Sequence, residues 1–245
     1  MNIESNNRFG YGFWFNGHHS TEFGVDVIEP KELGFPAKIK QLVEIPFSNI
    51  PLDLSYMYQD QQYGERTFKW TLLVRDRSRM DKEGMYVIWT KLVNWLENTQ
   101  GKTKLKDDVM SDYYYLAEIQ TATSWEEFRY HGKMTIEFQC YPFRIHEALE
   151  GNDIWDDFNF ELDVAQETKF DVSGSKSVML FNVGTPVASP TIVASAPFTL
   201  KMGNQTVTVP AGTSDSPDFV LANGINQIVI NGIGTIEFQW HKELI

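Results

Sequence analysis

The sequence predicts a mainly β chain of two domains, the first made of strands with one α-helix and the second of strands alone. Three observations carry this. The segments "RTFKWTLLVR" and "KMTIEFQC" alternate apolar and polar residues with period 2, the signature of half-buried strands. Met85, Ile88, Trp89, Leu92 and Leu96 instead follow the i, i+3, i+4, i+7, i+11 spacing of an amphipathic helix. The chain also changes texture near residue 146. Residues 1–146 hold 17 basic and 20 acidic residues and are rich in Tyr and Trp, whereas residues 147–245 hold 4 and 13, and no arginine follows Arg144. The expected domains are therefore residues 1–146 and residues 152–245.

Taken along the chain, "GFWF" reads as a strand closed by the tight-turn pair Asn16-Gly17. An apolar strand and a Pro-rich bend follow from Leu42. In the next strand Phe68, Trp70, Leu72 and Val74 share one face, with Leu73 out of pattern on the other. Asp81 and Glu83 favour the helix start, and "NTQG" stops it at Gly101. "KTKLKDD" and "YYYLAEIQTA" form a strand pair, and Met134, Ile136, Phe138 and Cys140 point inward from the last strand of the first domain. "PTIVAS", "QTVTVPAG" and "NQIVING" are the short β runs of the second half. "TIEFQ" occurs at Thr135–Gln139 and again at Thr235–Gln239, each time in a domain's closing strand, and is read as shared strand chemistry rather than duplication.

At 245 residues with 42% hydrophobic and 14% aromatic content, the chain has enough apolar surface for real cores. Its opening, "NIESNNRFGYG", lacks the charged start, apolar run and cleavage site of a secretory signal, and no apolar stretch approaches the roughly 20 residues of a membrane span. Cys140 is the only cysteine, so no intrachain disulfide or cysteine-based zinc site is expected, in keeping with folding in a cytosol. A net charge of −12 opposes nucleic-acid binding, which needs a surplus of Lys and Arg on the contacting face.

The residues that most invite a chemical reading do not assemble into a set. His18 and His19 are adjacent after a turn, where side chains diverge, whereas chelating pairs use i, i+2 on a strand or i, i+4 on a helix. They are expected to be exposed turn residues, and His131, His146 and His241 stand singly. The cluster Asp153, Asp156, Asp157, Glu161 and Asp163 lacks the Gly bend of a calcium loop and shows no pair facing across a substrate, so a solvated acidic edge is expected. No nucleophile elbow, phosphate loop, dinucleotide fingerprint or His-Glu-x-x-His occurs. No catalytic residue, metal or cofactor is expected. The aromatic segment "YMYQDQQYGER" is surplus to one small core, and Tyr56, Met57, Tyr58, Tyr63 and Arg66 are the expected subunit-interface residues of a hairpin extension.

In this order the segments resemble the distal tail proteins of long-tailed bacteriophages. "FWFNGHHSTEFGV", "VEIPFSNIPLDLSYMY" and "YGERTFKWTLLV" are similar to that family's aromatic strand and turn, its apolar-Pro stretch and its arginine-led strand. "WTKLVNWLENTQGKTKLKDD" and "GKMTIEFQCYPFRI" fit its helix and aromatic-Pro ending. "LFNVGTPVASPTIVAS" and "NGINQIVINGIGTIEFQW" resemble its N-x-G-T start and G-x-N-x-I-x-I strand. "PFSN" departs from the Gly-containing charged turn of many relatives, so the hairpin tip is expected to differ in shape and contacts.

The resemblance implies a ring-forming N-terminal β-sandwich-like domain with a hairpin extension, and a peripheral C-terminal β-sandwich similar to galectins and carbohydrate-binding modules. It implies a homohexameric ring at the virion tail tip, the hub of the baseplate, with no catalysis. The implied partners are the tail tube protein, the tail-associated hub protein and receptor-binding or baseplate proteins, with DNA passing through unbound and no membrane contact. Six copies would carry a formal charge of about −72, which suits a DNA conduit. The rival reading is a lectin-like host-adhesion protein using Trp155 or Trp240 as a sugar platform. Against it, Trp240 is in phase with Ile236 and Phe238 on the face expected to be buried.

Overall fold

The computed structural model describes residues 12–55, 57, 61–75, 81–121, 123–129, 131–152 and 158–245. The chain divides into two compact units, one of residues up to 41 with 62–144 and 245, the other of residues 42–61 with 145–244. The class is mainly β, with one α-helix among the described residues.

The first stretch of chain supplies β1 (Phe13–Phe15), β2 (His18–His19) and β3 (Asp26–Leu33), then the two-residue strands β4 (Leu42–Val43) and β5 (Leu52–Asp53). After these come β6 (Arg66–Val74), α1 (Lys82–Glu97), β7 (Thr103–Asp107), β8 (Tyr113–Ile119), β9 (Ser124–Glu127) and β10 (Gly132–Cys140). The first unit's sheet runs β2-β1-β7-β8-β10-β6-β3, with β9 added on β10. Asn16 and Gly17 both take positive φ, which lets β1 turn back on β2 within two residues. β6 and β10 pair from Arg66↔Cys140 to Val74↔Gly132, and both alternate buried and partly exposed positions along their length. That alternation puts Phe68, Trp70, Leu72, Met134, Ile136 and Phe138 into one core. Asp81 caps α1 by accepting from the Gly84 amide at 2.7 Å, and Met85, Leu92, Trp95 and Leu96 bury the helix against the sheet. Trp95 lies outside the periodic set read from the sequence. It stacks on Phe13 and donates Nε1–H to the Phe15 carbonyl at 2.9 Å, so it buries its ring without orphaning its nitrogen.

Besides β4 and β5, the second unit contains β11 (Arg144–Leu149) from its second residue on, β12 (Lys169–Asn182), β13 (Thr191–Ala194), β14 (Phe198–Met202), β15 (Gln205–Val209), β16 (Gly212–Asp215), β17 (Gly224–Gln239) and β18 (His241–Leu244). β17 is its spine. Its strand order is β15-β14-β17-β13-β16, and β12 runs antiparallel to β17 from Lys169↔Glu237 to Asn182↔Gly224. Gly232 and Gly234 have φ of 154° and 139°, and a Cβ on Gly232 would meet the Phe198 ring at 2.5 Å. Only glycine takes that backbone conformation and leaves room for the Phe198 ring there. β11 pairs with β18, and His241 Nδ1 is 2.9 Å from the His146 carbonyl.

Candidate assembly surface

The hairpin between β3 and β6 has a tied stem and an apolar tip. Ile39 donates its amide to the Gln62 carbonyl at 2.9 Å and Gly64 to that of Ala37 at 2.8 Å, with Lys38 bridging Tyr63. Farther out Leu42 pairs with Asp53 and Val43 with Leu52. At the tip the Ser48 amide donates to the Ile45 carbonyl at 3.1 Å, which closes a four-residue turn over Pro46 and Phe47. Proline fixes a negative φ at the second position and Phe47 has φ 64°, so the turn is type II with Phe where glycine is the usual residue. The Ser48 hydroxyl accepts from the Ile50 amide at 3.2 Å and donates to the Ile50 carbonyl at 2.9 Å, which fixes the descending side. Phe35, Leu42, Val43, Phe47, Ile50 and Met57 are all exposed along this stretch. An exposed apolar run of that kind marks a candidate contact surface.

Met57 is exposed, and Tyr63 is half-buried with its ring edge-on to Phe143 at 5.4 Å. Tyr56 and Tyr58 lie outside the described residues. Arg66 serves the interior of its own unit instead. It is 5% exposed, its Nε donates to the Gly34 carbonyl at 2.8 Å and NH1 to that of Pro142 at 3.3 Å, and its guanidinium lies 5.0 and 5.2 Å from the rings of Phe68 and Tyr115. Burial of an arginine needs this density of carbonyl and aromatic partners. Its phase with Phe68 and Trp70 was the sequence signal for an inward side chain.

The histidines are more engaged than exposed turn residues would be. His18 is exposed and lies 2.9 Å from Glu22, but His19 is largely covered. Its Nδ1 accepts from the Thr21 amide at 3.3 Å, which leaves Nε2–H to donate to Asp108 at 3.1 Å. The backbone N–H of His19 and then the His18 ring hold the Glu22 carboxyl below its usual range. Gly12 sits against this pair, its amide donating to Asp108 at 2.8 Å, and a Cβ there would meet the His19 ring at about 2.4 Å. The arrangement locks the β1–β2 turn onto the Asp108 turn, a structural clamp that crosses the sequence and leaves no signal in it. Among the described residues no three His, Cys, Asp or Glu side chains are grouped to hold a metal ion.

Of the acidic cluster, Asp153, Asp156 and Asp157 lie outside the described residues, as does Trp155. Glu161 is exposed, but Asp163 is not a solvated edge. It accepts from the Asn159 amide at 2.8 Å and pairs with Lys242, which is 1% exposed. Trp240 is buried in the second unit's core and offers no platform for a sugar.

The first unit also holds a largely apolar cavity of about 540 Å³. Val27, Ile28 and Leu33 of β3, Phe68 and Trp70 of β6, Leu105 of β7 and Tyr115 of β8 line it, with Val109 and Met110 beside them. Three charged residues share the lining: Glu29, which is exposed, and the pair Lys31 and Asp107, with Lys31 Nζ 2.9 Å from Asp107 and 4.9 Å from the centre of the Trp70 ring.

This chain superposes on the crystal structure of the SPP1 Dit protein (gp 19.1), described as a paradigm of the hub adsorption apparatus in phages infecting Gram-positive hosts. The TM-score is 0.67, the match covers 97% of this chain and 100% of that one, and the two are 12% identical in sequence. The fold is thus the one that the order of sequence segments implies. No protein-family model matches the sequence, and no curated protein does.

Proposed function

We propose that this chain is a structural distal tail protein that assembles into a ring at the virion tail tip and serves as the hub joining the tail tube to the host-recognition apparatus. The observation that carries this is the fold match to a tail-hub protein along essentially the full length of both chains. The exposed hairpin supports it, because a ring built from identical copies needs a surface that one copy leaves uncovered. Met57 extends that surface. Residues 1–146 form the ring and residues 152–245 its periphery. The net charge of −12 per copy suits a lumen through which DNA slides unbound.

The native mass in solution tests the reading. Six copies of the 28.2 kDa chain give one closed particle of about 169 kDa by light scattering, with a central hole in negative-stain images. An open-ended mass distribution, or a monomer that never joins a tail-tube assembly, would argue against the hub.

A further inference from the structure

We infer that the hairpin tip of one copy docks into the cavity between β3 and β7 of the next, with Phe47 as the plug, and that this contact closes the proposed ring. The inference rests on the ring reading and specifies its contact. Phe47 is 110% exposed and holds φ 64° at a turn position that suits glycine. An exposed aromatic in a strained backbone conformation has no stabilising role in its own chain, and strain of this kind points to function. The turn at the tip is tied within its own chain, since the Ser48 bonds to Ile45 and Ile50 hold both of its sides. Preorganisation of that sort removes most of the ordering cost of docking.

The receptor is complementary in chemistry and size. From Ile45 to Leu52 the hairpin carries no charge, in a chain with 22% charged residues, and of the three charged residues that line the cavity Lys31 and Asp107 pair with each other while Glu29 is exposed to solvent. Docking against the apolar part of the lining therefore leaves the Lys31–Asp107 pair intact. A volume of about 540 Å³ falls within the roughly 300–1,000 Å³ of ligand pockets and exceeds what one phenyl ring fills, which leaves room for Pro46 or Ile50. Val109, 62% exposed, and Met110 lie among the lining residues and remain accessible from outside. Because every copy carries one plug and one socket at different places, the contact is heterologous and propagates head to tail until the rotation closes.

The test uses Phe47→Gly and the paired substitution Phe47→Cys with Val109→Cys in the full chain. Glycine suits the turn, so the Phe47→Gly chain keeps its circular-dichroism spectrum while the particle falls from the ring to the 28.2 kDa chain. The double-cysteine chain, oxidised, gives a ladder of disulfide-linked multimers on a non-reducing gel, whereas each single-cysteine chain stops at dimers. Cys140 does not interfere, since it is buried and burial pushes its thiol up to about 12. If the wild-type chain forms a ring but Phe47→Gly still does, or if the bridge closes only within one copy, the docking is wrong and the ring reading stands. A monomeric wild-type chain whose double-cysteine form never cross-links between copies overturns both.

Discussion

Asn182 is 1% exposed, and its amide is spoken for on every side. Nδ2 donates to the carbonyls of Pro186 at 2.9 Å and Leu221 at 3.0 Å, and Oδ1 accepts from the Gly184 amide at 2.9 Å. Leu221 keeps a second partner in the Ala188 amide, so Asn182→Ala strands chiefly the Pro186 carbonyl and the Gly184 amide. The expected loss is about 2–3 kcal/mol in denaturant unfolding of the second unit. Glu150 acts in the opposite sense. Burial raises its pKa from 4.5, offset in part by the hydrogen bond from Gln166 and the nearby positive charge of Lys242. A carboxyl with a raised folded pKa favours the fold below 4.5, where it is protonated in both states, and loses that contribution as pH climbs through the raised value. Glu150→Gln keeps an acceptor for Gln166 and is therefore expected to raise the melting temperature at pH 7. The gain should shrink as pH is lowered toward 4.5, and a gain that does not depend on pH would locate the effect elsewhere.

β6, β10 and α1 each announce themselves within a dozen residues, because period 2 and period 3.6 are local properties of an amphipathic face. α1 also advertises its start, and Asp81→Ala is expected to cost about 1 kcal/mol, read as a lower midpoint in urea with unchanged native circular dichroism. The pairing of elements is not local, and there the sequence is silent. Nothing in "HKEL" foretells that β18 lies on β11, or that His241 and His146, read as solitary, meet through a backbone carbonyl. The same holds for His19 and Asp108, and for β9, whose four residues show no clear alternation. The motifs "NVGT" and "GINQIVI" were recognisable as a pattern, and the structure supplies their cause. Asn182 and Asn226 tie their own turns with side-chain amides, and Gly224 takes a φ of 91° beside them. Of the assembly surface, the aromatic surplus before β6 was legible, while the strained Phe47 tip was not, since a backbone φ leaves no mark on composition. Gly232→Ala tests the packing of Phe198 on β17. The added methyl meets that ring, and a loss of several degrees in melting temperature is expected, with a neutral result showing that glycine is not required there.

Two units with separate cores, one around Trp70 and Phe138 and one around Ile230 and Phe238, are expected to unfold separately. Calorimetry should resolve two transitions, with Asn182→Ala lowering one and leaving the other in place. A single transition that Asn182→Ala shifts as a whole would show that the units stand or fall as one. Chain order adds a constraint in time. On the ribosome, β11 emerges about ninety residues before its partner β18, which at roughly 5–20 residues per second is an interval of several seconds. Through that interval the nascent β11 presents an unsatisfied strand edge, the kind of surface that pairs with the wrong neighbour. Polysomes carrying several growing copies would hold many such edges close together. Protease resistance of the second unit should therefore be absent in chains stalled at residue 240 and appear once His241–Leu244 has cleared the exit tunnel.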